Sequence, residues 1–352
     1  MKTPIKTLLK PLSLALFVAA TLLMQNACNR TSPSSNTIPT TSLSPHFCKA
    51  VGGEKLDGGK SLIQTSDGGC AIAGLTASFG AGDWDVYVVK LDANGNLRWT
   101  KTIGGPASEA GKSLIQTSDG GYAIAGYTTS FGAGDKDIYV VKLDAKGNLQ
   151  WTKTIGGPES EESRSLIQTS DGGYAIAGYT ESFGAGGADV YLVKLDAKGN
   201  LQWTKTIGGE KDEVGFSLIQ TSDGSYAIAG TTTSFGAGEA DVYVVKLDAN
   251  GNLQWTKTIG GPGYEIGFSL IQTSDGGYAI AGDTKSFGAG ETDICIVKLD
   301  KNGNACCAVS QTSRVGSGGR LRSATPSIGS GGTLTAPTSS TSSGGTLTNQ
   351  CP

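Results

Sequence analysis

Two acidic positions return every 52 residues along this chain. One is Asp57, Glu109, Glu161, Glu213 and Glu265; the other is Asp85, Asp137, Asp189, Asp241 and Asp293. Carboxylates gathered in a ring would offer the hard oxygen donors that calcium takes. The same residues could instead accept backbone N–H bonds from adjoining loops and tie one repeat to the next. Both readings stay open; the first makes all ten candidate ligand-binding residues, with calcium the one cofactor to consider. Trp84 is a further candidate, because it is the one tryptophan in a loop that differs between copies. Trp99, Trp151, Trp203 and Trp255 share one equivalent position, with Phe47 in the fifth slot, and are expected to pack between repeats. No catalytic residue is expected. The single histidine, His46, lies outside the repeats, so neither a Ser-His-Asp set nor a multi-histidine metal site can form within them. Catalysis needs an asymmetric constellation of acid, base or nucleophile, whereas a residue copied five times is more often architectural.

The elements that carry these residues follow from the repeat. SLIQTSDG starts at Ser61, Ser113, Ser165, Ser217 and Ser269, followed each time by AIAG, SFGAG and a V-K-L-D segment. In the second copy, Lys112–Thr117, Tyr122–Thr128, Asp137–Leu143 and Leu149–Ile155 read as four short strands, A to D. The turns S-D-G-G and D-A-K-G-N hold the Asp, Asn and Gly that tight hairpins demand. Four strands per unit at this spacing predict an all-β, five-bladed β-propeller over residues 46–310; a β-solenoid fits less well, its coils being shorter. Phe47–Gly53 aligns with the strand D pattern W-T-K-T-I-G-G, which the last copy lacks, so the N-terminal strand is expected to close the last blade. Cys48, Cys306 and Cys307 then fall at the same end of that blade and are candidates for a disulfide staple.

Residues 1–27 read as a signal peptide: Lys2, Lys6 and Lys10 precede an apolar stretch too short to span a membrane convincingly. Ala27-Cys28 resembles a lipoprotein cleavage site, making Cys28 the candidate lipidation residue; plain secretion and an uncleaved anchor are alternatives. Residues 28–45 form a Ser/Thr/Pro-rich linker. Residues 311–352 form a Ser/Gly/Thr-rich tail, either disordered or supplying a few edge strands. Charged residues make up 17% of the chain and the net charge is −3, which gives no field to hold nucleic acid.

The copies differ chiefly in the D–A connections (EKLDGGK, PASEAGK, PESEESR, EKDEVGF, PGYEIGF) and in the B–C loops. In a propeller both lie on one face, where a rigid scaffold places its binding residues. The motif W-T-K-T-I-G-G … S-L-I-Q-T-S-D-G-G-Y-A-I-A-G … V-V-K-L-D-A-x-G-N-L, over residues 47–304, resembles bacterial and archaeal exported propeller-repeat proteins. T-S-D-G-G-Y is loosely similar to the Asp-box hairpin, and Val140–Asp144 through Trp151 is similar to quinoprotein repeats. The resemblance implies a propeller outside the cytoplasm. Quinoprotein enzymes hold a quinone with calcium and catalytic aspartates, and no single blade here carries such a set. The expectation is a non-catalytic, monomeric scaffold of the cell envelope or secreted space. It binds protein or surface glycan and meets a membrane only through a lipid anchor. A multivalent lectin is the alternative, and a quinoprotein-type enzyme or hydrolase stands third.

Overall fold

The computed structural model describes residues 47–288 and 291–305, with the backbone of five short strands between 314 and 349. A short β1 (Lys49–Ala50) precedes the blades. Blade 1 is β2 (Asp57–Gln64), β3 (Cys70–Thr76), β4 (Asp85–Leu91) and β5 (Leu97–Gly104). Blade 2 is β6 (Glu109–Gln116), β7 (Tyr122–Thr128), β8 (Asp137–Leu143) and β9 (Leu149–Gly156). Blade 3 is β10 (Glu161–Gln168), β11 (Tyr174–Thr180), β12 (Asp189–Leu195) and β13 (Leu201–Gly208). Blade 4 is β14 (Glu213–Gln220), β15 (Tyr226–Thr232), β16 (Asp241–Leu247) and β17 (Leu253–Gly260). Blade 5 has β18 (Glu265–Gln272), β19 (Tyr278–Thr284) and β20 (Asp293–Leu299). Each is an antiparallel meander in chain order. The fold is therefore all-β and of propeller type, with about five blades.

The hairpins close where the repeat places glycine with a positive φ. In blade 2, Gly120 (φ 78°) donates its N–H to Thr117 O at 2.8 Å. Asp119 fastens that turn: it accepts from Gly121 N–H at 2.9 Å and from Lys142 Nζ on β8 at 2.9 Å. In the first strand of every blade one extra residue forms a bulge, between Gly111 and Ser113 in β6. Gly126 on β7 faces it, and a Cβ there would lie 1.7 Å from Ala110 O, so only glycine permits this backbone approach.

Blades stack face to face. Val86, Val88 and Ile103 of blade 1 pack with Leu114, Ile124 and Tyr139 of blade 2, and Trp99 meets Tyr122 edge-on at 5.5 Å. The next three junctions repeat this arrangement. First strands adjoin one another: Leu114 N–H donates to Ser61 Oγ, and Leu166, Leu218 and Leu270 do the same to Ser113, Ser165 and Ser217, all at 3.1 Å. These strands form the inner wall of the curve.

Two expectations need correction or completion. The N-terminal strand does not close the last blade. Among the described residues β18–β19–β20 is a three-stranded sheet, and β1 pairs with a tail strand instead. The two ends of the blade series do not cover each other. Leu62 is 66% exposed and Ile294 and Ile296 are 80% and 75% exposed, where their internal counterparts are buried. Five short strands follow in the tail. β21 (Arg314–Gly316), β22 (Arg320–Arg322), β23 (Ser327–Gly329) and β24 (Thr333–Thr335) pair with β17, β13, β9 and β5, and β25 (Thr348–Asn349) with β1. The first four each add a fifth strand to an outer edge and cover backbone groups that would otherwise template foreign strands, while β25 and β1 form a two-stranded sheet. Cys28, the signal segment, the linker, Cys306 and Cys307 lie outside the described residues; Cys48 is exposed.

Candidate functional site: an ionic and aromatic cluster on the inner rim

The repeated carboxylates are internal to the blades. Glu109 is buried; its Oε2 accepts Gly105 N–H at 2.6 Å, and its Oε1 accepts the Thr128 hydroxyl at 2.6 Å and Ser130 N–H at 3.3 Å. It thereby clamps the connection entering the blade to the loop between its second and third strands. Glu161, Glu213 and Glu265 repeat the clamp. Asp57, partly exposed, accepts from Gly53 N–H at 2.6 Å and from the Thr76 hydroxyl. The second set takes loop amides: Asp85 from Gly82 at 3.2 Å, Asp137 from Gly134 at 3.1 Å, Asp189 from Ala185 at 3.0 Å and Asp241 from Ala237 at 3.1 Å. Asp293 holds the same place in blade 5 and is half-buried.

The two sets meet in pairs. A Cβ on Gly104 would lie 2.2 Å from Asp85 Oδ1 and 2.4 Å from Glu109 Oε2. Burial pushes the Asp85 carboxyl above its ordinary range, and the neighbouring Glu109 adds to the push. Asp137 beside Glu161 and Asp241 beside Glu265 behave alike. Among the described residues no three His, Cys, Asp or Glu side chains converge as metal donors. These carboxylates form separate pairs engaged with backbone, so the residues present do not fit a quinone–calcium site.

The rim differs where the repeats differ. The bulge residue of each first strand is Lys60, Lys112, Arg164, Phe216 and Phe268 in turn. Bulges re-aim a side chain away from the regular pleat, and here they present the variable one. Two residues earlier the copies hold Gly58, Ala110, Glu162, Val214 and Ile266. Glu162 is 6% exposed and receives three cations: Arg164 at 3.2 Å, Lys112 at 3.3 Å and Lys136 at 3.8 Å. Burial pushes its carboxyl up, but Arg164, Lys112 and Lys136 together outweigh that and hold it below its usual range. Burial lowers the Lys112 ammonium; Glu162 opposes the fall and Arg164 adds to it.

Aromatic faces surround this charge. Lys136 Nζ lies 4.4 Å and Lys112 Nζ 5.5 Å from the Tyr127 ring. The Arg164 guanidinium lies 6.0 Å from Tyr179 and 5.9 Å from Phe216, and Phe216 meets Phe268 edge-on at 5.3 Å. Arg164 Nε is buried and without a hydrogen-bond partner among the described residues. Three cations against one carboxylate leave positive charge in excess, beside rings that run on to blade 5. Such a surface suits an anionic group carried next to an apolar or aromatic one.

Trp84 holds the place in blade 1 that Lys136 holds in blade 2. It is 39% exposed, and its carbonyl accepts Glu109 N–H at 2.7 Å. It thus belongs to the same rim. Sequence reading noticed the varying strings but singled out their acidic constants. The signal that was available is a lone charge, Glu162, at a position otherwise Gly, Ala, Val or Ile. At the other end of the inner wall a groove of about 630 Å³ is lined by Ser118, Gln168, Ser170 and Gln220, all repeated residues.

Comparison with known proteins agrees with the repeat architecture. The Regulatory protein FlaEY of Caulobacter vibrioides is 29% identical over 200 residues, covering 49% of this chain and 21% of that protein. The chain thus spans about a fifth of that relative's length. Residues 57–292, which carry the first four copies and the first two strands of the fifth, match the family described as Outer membrane protein assembly factor BamB. That match takes in more than half of the sequence, and the chain belongs to this quinoprotein-like propeller family.

Proposed function

We propose that the chain is a non-catalytic scaffold of the cell envelope that binds a partner protein through its inner rim, around Lys112, Lys136, Glu162 and Arg164. The observation that carries this is the coincidence of variation with charge. Repeats otherwise alike place one buried carboxylate and three half-buried cations at a single blade junction. Architecture alone has no use for that asymmetry, since the positions equivalent to Glu162 hold Gly58, Ala110, Val214 and Ile266. The partner supplies an anionic side chain next to an aromatic or aliphatic one. The family's description names an assembly factor and that of FlaEY a regulatory protein, both in keeping with binding. Export through residues 1–27 and lipidation at Cys28 would place the rim at a membrane surface, tethered by residues 28–45.

The test is a crosslinking pull-down from envelope extract with three baits: native protein, Lys112→Ala/Arg164→Ala, and Asp144→Asn at the opposite end. The expected result is at least tenfold lower recovery of the partner with the double variant alone, the partner being identified by mass spectrometry. Equal recovery with all three baits removes the rim from consideration.

A further inference from the structure

The two ends of the blade series carry the two halves of an interface that is filled four times between them. At each internal junction a pair of third-strand residues, Val86 and Val88 in blade 1, packs against the first-strand leucine of the next blade, Leu114 in blade 2. Those residues are at most 3% exposed at every internal junction. In blade 5 the equivalent pair, Ile294 and Ile296, is 80% and 75% exposed, and in blade 1 the equivalent leucine, Leu62, is 66% exposed. Contiguous exposed apolar surface of this kind marks an interaction site.

The backbone is complementary in the same way. Among the described residues β20 has an inner neighbour, β19, and on its outer side only a single bridge at its last residue, Leu299 with Ala305, which leaves the Ile294–Ile296 end open. β1 has an outer neighbour, β25, and no inner one, whereas β5 has both β24 and β4. β1 also lies against blade 1 as a fourth strand lies against the blade that follows it. Val51 packs with Tyr87, Val89 and Leu91, as Ile103 does with Tyr139, Val141 and Leu143. The Phe47 ring covers Gly95 as that of Trp99 covers Gly147.

We propose that β20 of one molecule pairs with β1 of a second copy, so that blade 5 of the first stacks on blade 1 of the second. The occupant is a second copy because the exposed halves match an interface this chain already builds four times. The contact is heterologous: it joins different surfaces on the two partners and so continues from copy to copy. This replaces the monomer expected from sequence. The register between third and fourth strands, Val86 with Ile103 and Tyr87 with Thr102, sets Ile294 opposite Val51 and Cys295 opposite Ala50.

Two measurements on the purified protein test this. In sedimentation velocity the native mass is expected to rise with concentration beyond one chain. Ile294→Asp/Ile296→Asp, changed at exposed positions, is expected to stay monomeric with an unaltered circular dichroism spectrum. In the second, Ala50→Cys is made with Cys295 as the only other cysteine, and the protein is oxidised. A ladder of covalent oligomers on a non-reducing gel is the expected product. A monomer carrying an internal link would show that the chain closes on itself, and a single unlinked species would show that the edges do not meet. Either result, or a native mass of one chain at every concentration, overturns the proposal.

Discussion

The two ends of each blade use charge in opposite ways. At the hairpin end, Asp67, Asp119, Asp171, Asp223 and Asp275 each pair with a lysine from the third strand of the same blade, at 2.8 to 3.6 Å. The pair recurs in every copy, as a device that shapes the blade must, although in blade 4 Lys246 donates to the Thr221 hydroxyl at 2.6 Å rather than to Asp223. At the rim, four charges meet at one junction, where Glu162 gathers Lys112, Lys136 and Arg164. A fivefold feature holds the fold; a single one singles out a direction on it.

The largest expected effect comes from the backbone that presents the rim. Gly126→Ala would drive a Cβ to 1.7 Å from Ala110 O, forcing apart the strands that form the bulge at Lys112. Overpacking against backbone costs about 3 kcal/mol or more in such a site. Gly120→Ala at the hairpin end meets nothing nearer than 3.9 Å and suffers only from its φ of 78°, about 1–2 kcal/mol. Urea denaturation of both variants ranks them, and a larger loss at Gly120 would deny the bulge its role.

Removing the central charge of the rim comes next. Glu162→Gln leaves three half-buried cations without their countercharge, for an expected loss on the order of 1–3 kcal/mol. Asp119→Asn breaks a pair whose carboxylate is 54% exposed, and exposed pairs contribute roughly 0–1 kcal/mol. Equal losses by urea denaturation would erase the distinction between the two ends.

The period, the four strands and the hairpin turns were legible because each rests on local chemistry: alternating apolar residues, and Gly or Asp where a turn needs them. The family resemblance drawn from W-T-K-T-I-G-G and V-V-K-L-D pointed the same way as the later match. The clamp at Glu109 was one of two readings open, and choosing between them needed the positions of Gly105 and Thr128. The cluster at Glu162 was not legible as a site. A bulge must first turn Lys112 and Arg164 onto one surface, and Lys136 arrives from a different loop. Phe47–Gly53 was recognised correctly as a fourth-strand pattern, and Val51 and Phe47 do pack as such. Its pairing with β20 was inferred from alignment, which carries no information on whether the two ends of the series come within reach.

The smallest effect is the most discriminating, because the two ends predict opposite slopes of stability against pH. At the hairpin end the Thr65 hydroxyl and Lys90 hold Asp67 down at about 2. Asp119 and Asp171 also lie at about 2, the upward push of burial being outweighed by Thr117 with Lys142 and by Lys194 with Thr169. A depressed carboxyl stabilises the fold fully above its unfolded value, near 3.8 here, and that contribution is lost as pH falls towards about 2. At the rim, burial raises Asp85, Asp137 and Asp241. The folded state then holds its proton more tightly than the unfolded one. That contribution is complete below the ordinary value and declines as pH rises through the raised one. Asp119→Asn should therefore flatten the acid limb of a denaturation series, by no more than about 1 kcal/mol since the group is exposed. Asp137→Asn, a permanent stand-in for the protonated acid, should gain on the native protein as pH rises from acid towards neutrality. Two variants that moved the curve in the same direction would mean that these carboxylates do not divide between the ends of the blade as their hydrogen bonds indicate.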